Sequence, residues 1–454
     1  MKKPLFTLAL LAALMFCGCN ENNPINTIID EITHPTDKQE TPEEPIIRGT
    51  GIVDRIFNRQ NPVPLHLAPS PNQMAYAQMG AEFAQKLFGE LCLAAEPGEN
   101  VCISPLSLEI ALGMLANGVE TSACTEMLDI IAGRGVTTDS LNAWYYKLRA
   151  ALEATNCVRL ANAMWAQDGY PINPDFIAVN QTYYDAEMGH LDFANRTEEA
   201  ADSICQWAFY HTYGNIRELN LPIEDSTKLV LANATWFGAN WAEPFGVTFT
   251  EKAIFTHSDG TTQEVDMMKN GGEYSYAEKA TYQIVELPFG VFEKNKYGFN
   301  ELIDTPYSML IALPKGGFSP NDILTDIEWE VNGKALVVVQ IPKFCFKTTN
   351  TLIPPMKELG IKKLFASPLN GINPNLGVGF INQDVSVKID ENGAEMAAVT
   401  VMASFSITDL DSPAPTPIYF NANHPFVFAV RENVSHNILF IGKVEKIEEI
   451  KNRN

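Results

Sequence analysis

Apolar residues recur at helical spacing along the first half of the chain and in short, β-rich runs along the second. Ala75, Met79, Phe83, Leu87 and Leu91 repeat near the helical period, which predicts one long helix. Pro105 suits the first turn of a second helix over 106–116, and further helical patterns cover 123–131, 138–155, 174–184, 197–213 and 352–359. Residues 228–237, 283–288, 308–314, 336–346, 385–390, 425–431 and 437–444 are β-branched or aromatic runs bounded by glycine, proline or charge. The pattern predicts an α+β chain with more than one antiparallel or mixed sheet and no fixed repeat.

The ends of the chain read differently. Lys2 and Lys3 precede an apolar stretch over 5–16 that is too short to span a bilayer, so 1–18 reads as an export signal. It ends in Phe16-Cys17-Gly18-Cys19, which resembles the lipobox of bacterial lipoproteins, with Gly18 as the small residue before a lipidated Cys19. Residues 19–72 are rich in Pro, Asn, Glu and Thr, and prolines from Pro24 to Pro71 interrupt every periodic run. They read as a tether holding a domain over 73–450 clear of a membrane. The expected location is the bacterial cell envelope, at the outer membrane or cell surface.

The formal charge of −23, from 32 basic and 55 acidic residues, repels phosphate backbones and argues against nucleic-acid partners. Of the eight cysteines, Cys17 and Cys19 belong to the lipobox-like step; Cys92, Cys102, Cys124, Cys157, Cys205 and Cys345 have irregular spacing and read as buried thiols rather than a disulfide framework. No C-x-x-C pair, H-E-x-x-H helix, G-x-S-x-G elbow or phosphate loop occurs, so neither a metal, a cofactor nor an enzyme active site is expected.

Asn100-Val-Cys-Ile-Ser-Pro-Leu-Ser107 with Ala111-Leu-Gly-Met-Leu115, Ile204-Cys-Gln-Trp207, and Thr212-Tyr-Gly-Asn-Ile216 open a series of short motifs. Leu229-Val-Leu-Ala-Asn233-Ala-Thr-Trp-Phe237, Trp241, Pro244-Phe245, Glu286-Leu-Pro-Phe289, Ile341-Pro-Lys-Phe344 and Leu439-Phe-Ile-Gly-Lys-Val444 continue it. Taken together and in this order, the motifs resemble those of the serpin family. The resemblance implies three sheets, about nine helices and an exposed reactive-centre loop. It implies a monomeric suicide-substrate inhibitor of serine, or cysteine, proteases: a target cuts the loop, whose N-terminal arm then inserts into the large sheet. It also leaves room for a non-inhibitory surface binding protein with the same fold.

Carried onto this chain, the hinge of that loop is Glu391, Gly393, Ala394, Glu395, Met396, Ala397 and Ala398. Ser104, Ser107, Asn233 and Gln383 match the region beneath the opening sheet, with Gln383 where a histidine is common, and Trp241 marks where insertion begins. No proline occurs between Gly393 and Pro413, so the arm keeps the N–H groups that a sheet ladder requires. Ala394, Met396, Ala398, Thr400 and Met402 share one face by the period of two. Counting fourteen residues on from Gly393 places the bait at Ile407-Thr408, within a window from Phe405 to Leu410. Lysine and arginine are absent between Lys388 and Arg431, which disfavours trypsin-like targets and favours elastase-, chymotrypsin-, subtilisin- or papain-like enzymes with apolar pockets.

Overall fold

The computed structural model describes residues 61–216, 218–297, 299–394 and 416–448. In chain order the first half contains α1 (Pro71–Ala94), β1 (Val101–Ile103), α2 (Pro105–Ala116), α3 (Thr121–Ile131), α4 (Thr138–Ala154), β2 (Val158–Gln167), α5 (Pro174–Tyr184), β3 (Glu187–Leu191) and α6 (Thr197–His211). The second half contains β4 (Leu229–Phe237), β5 (Ala239–Trp241), β6 (Glu251–Thr256), β7 (Thr262–Glu278), β8 (Tyr282–Lys294), β9 (Asn300–Pro314), α7 (Pro320–Ile323), β10 (Lys334–Pro342) and β11 (Phe344–Thr351). It closes with α8 (Ile353–Glu358), β12 (Asn382–Asp390), β13 (Gly393–Ala394), β14 (Ile418–Asn421), β15 (Phe426–Glu432) and β16 (Ile438–Val444).

The first helix starts inside the stretch read as a tether. Ser70 and Gln73 form a reciprocal capping box and Pro71 occupies the first turn, a start signal rather than a break. Upstream of it Leu67 is buried and the Val63 N–H donates to the Thr155 carbonyl at 3.0 Å, so residues 61–72 are built onto the domain. The buried stripe of α1 also differs from the one expected: it runs through Ala77, Gly80, Phe83, Ala84, Leu87, Phe88 and Leu91, while Ala75 is exposed. Strict spacing by four advances about 40° per step beyond a full turn, so a row that fits at Phe83 has left the face by Ala75. Helix α2 is apolar around nearly its whole circumference because it is enclosed between layers; of its residues only Ala111 is not buried.

The described strands form one 13-stranded hydrogen-bonded network and a separate three-stranded sheet, β3-β2-β4. The expected count of three sheets differs because β7, 17 residues long, pairs with β6 and β10 at one end and β8 at the other, joining two layers into one network. Among the described residues there are eight α-helices against the nine or so expected. The main core lies between α1, α2, α4 and the β9-β15-β16 layer, and a smaller cluster around Trp165, Phe193, Ile204, Trp207 and Val230 lies beneath α6.

Candidate functional site

Strand β4 is paired along one edge to β2, and β12 along one edge to β11. Their remaining edges border a common cleft, and among the described residues no ladder joins them. The cleft measures about 690 Å³ and is lined by both strands, by Ser104, Ser107 and Leu108 at the start of α2, and by Trp207 and Ala208 of α6. Alternate residues of β4 serve the two sides: Val230 and Ala234 join the cluster under α6, while Leu229, Leu231 and Phe237 join the main core. The unpaired edges offer N–H and C=O groups to an incoming strand.

One end of the cleft is already closed by such a strand. Gly393 and Ala394 form β13, antiparallel to both neighbours, with Ala394 opposite Ala239 on β5 and opposite Ile389 on β12. Ala394 is buried in the main core, which fixes the inward face. Gly393 has φ +148°, and a β-carbon there would lie 2.1 Å from the Ala239 carbonyl oxygen, so glycine is required on both conformational and steric grounds.

Trp241 and Glu391 hold this end together. The Trp241 ring is buried and stacks on Phe289 at 4.4 Å between centroids, its indole N–H donates to the Asp390 carbonyl at 3.0 Å, and its backbone N–H donates to the Asn392 carbonyl at 2.9 Å. The Glu391 carboxylate pairs with the Lys343 ammonium at 3.0 Å and accepts from the Thr250 hydroxyl at 2.9 Å. Burial opposes its charge, but its own backbone N–H, Lys343 and Thr250 together hold the carboxyl below its usual range.

Midway along the cleft, the first turn of α2 grips both walls. The Ser104 N–H donates to Gln383 Oε1 at 2.8 Å while Gln383 Nε2 donates to the Ser104 carbonyl at 2.9 Å, and the Ser104 hydroxyl donates to the Leu439 carbonyl. On the other wall the Ser107 hydroxyl donates to Asn233 Oδ1, and Asn233 Nδ2 donates to Asn162 Oδ1 at 2.7 Å. The structure thus joins Ser104 with Gln383 and Ser107 with Asn233, but among the described residues no hydrogen bond joins Gln383 to Asn233. The sequence reading missed Asn162, which donates to the Tyr184 carbonyl at 2.8 Å, and Lys343 and Thr250; lone polar residues within or beside strands carry no local signal of their partners.

Glu395, Met396, Ala397, Ala398, Ile407, Thr408 and Cys19 lie outside the described residues. The six cysteines of the domain are free, with Cys92, Cys102 and Cys157 buried and Cys124, Cys205 and Cys345 partly so. Burial pushes the Cys92 and Cys157 thiols up to about 12, which keeps them protonated and unreactive. Among the described residues no group of three or more His, Cys, Asp or Glu is placed to hold a metal ion, and no helix is long and apolar enough to cross a membrane.

The profile of the serpin (serine protease inhibitor) family matches residues 78–447. An uncharacterised serpin-like protein of Methanosarcina mazei is 28% identical over 96% of both chains. The leukocyte elastase inhibitor of Equus caballus is 31% identical over 80% of this chain and 96% of its own length. Among solved structures, an Arabidopsis serpin in its native stressed conformation superposes with a TM-score of 0.71 at 23% identity, covering 84% of this chain and all of that one. With the profile spanning most of its length and the leukocyte elastase inhibitor matched over nearly all of its own, the chain belongs to the serpin family.

Proposed function

We propose that the protein is a suicide-substrate inhibitor of proteases with apolar primary specificity, and that the cleft between β4 and β12 receives the loop arm after cleavage. The observation that carries this reading is β13: its two residues already occupy the strand position between the walls. Continuing the register from Ala394 along β5 and β4 brings Thr400 opposite Asn233, and continuing it along β12 brings Thr400 opposite Gln383. Both walls therefore give the same partner. That agreement is independent of the α2 contacts, which also set Asn233 and Gln383 across from each other. The Thr400 hydroxyl would then meet the two separate pairs and link them.

The same register places Met396 between Phe237 and Val387, and Met402 between Leu231 and Ile381. A flexible thioether suits an apolar site of that kind, so the methionine side chains are accommodated. Cleavage falls at Ile407-Thr408 or within 405–410, and targets are elastase-, chymotrypsin-, subtilisin- or papain-like. A lipid on Cys19 and the following spacer hold the inhibitor at the cell envelope, where it meets these enzymes as a monomer.

The test is the thermal midpoint of the protein before and after a single cut in 405–410. A marked rise is expected, because insertion completes the sheet of a form that was held only kinetically. An unchanged midpoint contradicts insertion and favours a non-inhibitory binding protein.

A further inference from the structure

We infer that Glu109 is a proton-sensitive positioning residue: its neutral carboxyl fixes α2 against α1 and α4, and its ionisation releases the grip of α2 on both walls of the cleft. The inference rests on reading that cleft as the insertion site.

Glu109 is two residues beyond Ser107, so it leaves α2 on the side opposite the cleft. It is 5% exposed. From α1 it is faced by Gly80, where a β-carbon would come 2.9 Å from Glu109 Oε2; the missing side chain is the space the carboxyl fills. From α4 the Tyr145 hydroxyl donates to Oε2 at 3.2 Å. Behind it on α5 stands Tyr184, whose ring lies 6.3 Å from that of Tyr145 and whose hydroxyl donates to Asn142.

No cation compensates the carboxyl. Among the described residues Glu109 makes no ion pair, and the cations on the helices and strands packed around α2 are engaged elsewhere: Lys86 of α1 with Glu82, Lys147 of α4 with the Ala68 carbonyl and Gln73, Arg149 of α4 with Glu153 and Asp185, and Lys443 of β16 with Glu445. Burial therefore raises the carboxyl from 4.5 to about 8, against a smaller opposing effect of the Tyr145 hydroxyl. An anion formed there has to gain water or a new donor, and the only routes are displacement of α2 or of its neighbours. Because Ser104 and Ser107 of the same helix hold Gln383 and Asn233, that displacement reaches the cleft.

The sign follows from the direction of the shift. The native form holds its proton where the unfolded chain has lost it, so the stability Glu109 contributes is complete below about 4.5, falls as the pH rises, and is gone above about 8.

Two measurements on the full-length protein between pH 6 and 9, without protease, test this: the rate at which it loses the ability to form a protease conjugate, and its urea midpoint. The ionised fraction rises about tenfold from pH 7 to 9, and the loss rate of the unsubstituted protein is expected to follow it. In Glu109→Gln the rate stays flat and the midpoint at pH 9 exceeds that of the unsubstituted protein. In Tyr145→Phe, which removes the donor favouring the anion, the pH of half-maximal loss moves upward. Parallel pH profiles for the unsubstituted protein and Glu109→Gln would overturn the inference. Should no conjugate form at any pH, the proposed function fails, while the urea profiles still decide the role of Glu109.

Discussion

Gly393 lies directly against Ala239: a β-carbon at residue 393 would sit 2.1 Å from the Ala239 carbonyl oxygen, at a backbone φ of +148°. In the proposed insertion, the first step would depend on a residue that has no side chain and tolerates that backbone angle.

Gly393→Ala is expected to expel β13 from its place between β5 and β12. The variant should still be cut in 405–410, but most cleavage events should end in free, active protease rather than a conjugate. Gel analysis of the ratio of cut chain to conjugate measures this; an unchanged ratio would show that β13 is not the start of insertion.

Thr400→Pro removes the N–H that the proposed insertion would bring between Asn233 and Gln383, and proline is excluded from central strands. The variant should lose both the conjugate and the rise in thermal midpoint after cleavage, while the uncut protein keeps its stability. If the uncut form instead loses several degrees, residue 400 already has a structural role before cleavage.

Trp241→Phe keeps an aromatic ring against Phe289 but leaves the Asp390 carbonyl without its indole donor. A loss of about 1 kcal/mol is expected from one hydrogen bond, readable as a lower urea midpoint. No loss would mean that stacking alone fixes this corner.

Glu391 titrates in the opposite direction to Glu109. Burial works against its charge, yet Lys343, Thr250 and its own N–H outweigh that effect and depress its carboxyl, so its contribution is present above the ordinary value of 4.5 and is lost as the pH falls through the depressed one. Glu391→Gln should flatten the acid limb of the stability profile and leave the alkaline limb unchanged. A variant whose acid limb matches that of the unsubstituted protein would remove Glu391 from this account.

Much of this arrangement can be read in the sequence, for identifiable reasons. Pro174–Tyr184 and Leu229–Phe237 are bounded by a start proline or by polar turns and are periodic throughout, so their ends are legible. Gly393 and the proline-free arm can be read because only backbone chemistry is involved. In the hairpin of β8 and β9 the sequence pattern marks only 283–288 and 308–314. Its tip, at 293–294 and 300–303, pairs strands with both faces exposed, Leu302 among them, so it has no alternation to detect. Gln383 matches the same family region as Asn233, but both of its amide bonds go to the Ser104 backbone, since an open cleft separates it from Asn233. Glu109 looks like a solvent-facing acid in an apolar helix, and only Gly80, far along the chain, reveals the space made for it. The cleft itself is a missing ladder between two strands, which no local pattern records.

The intact mass of the product formed with an elastase- or subtilisin-like protease separates loop insertion from simple cleavage. A conjugate stable in boiling detergent is expected, with the mass of the protease plus this chain minus a C-terminal fragment beginning between residues 406 and 411. Recovery of the protease at its own mass and full activity, beside a chain merely cut in two, would contradict it.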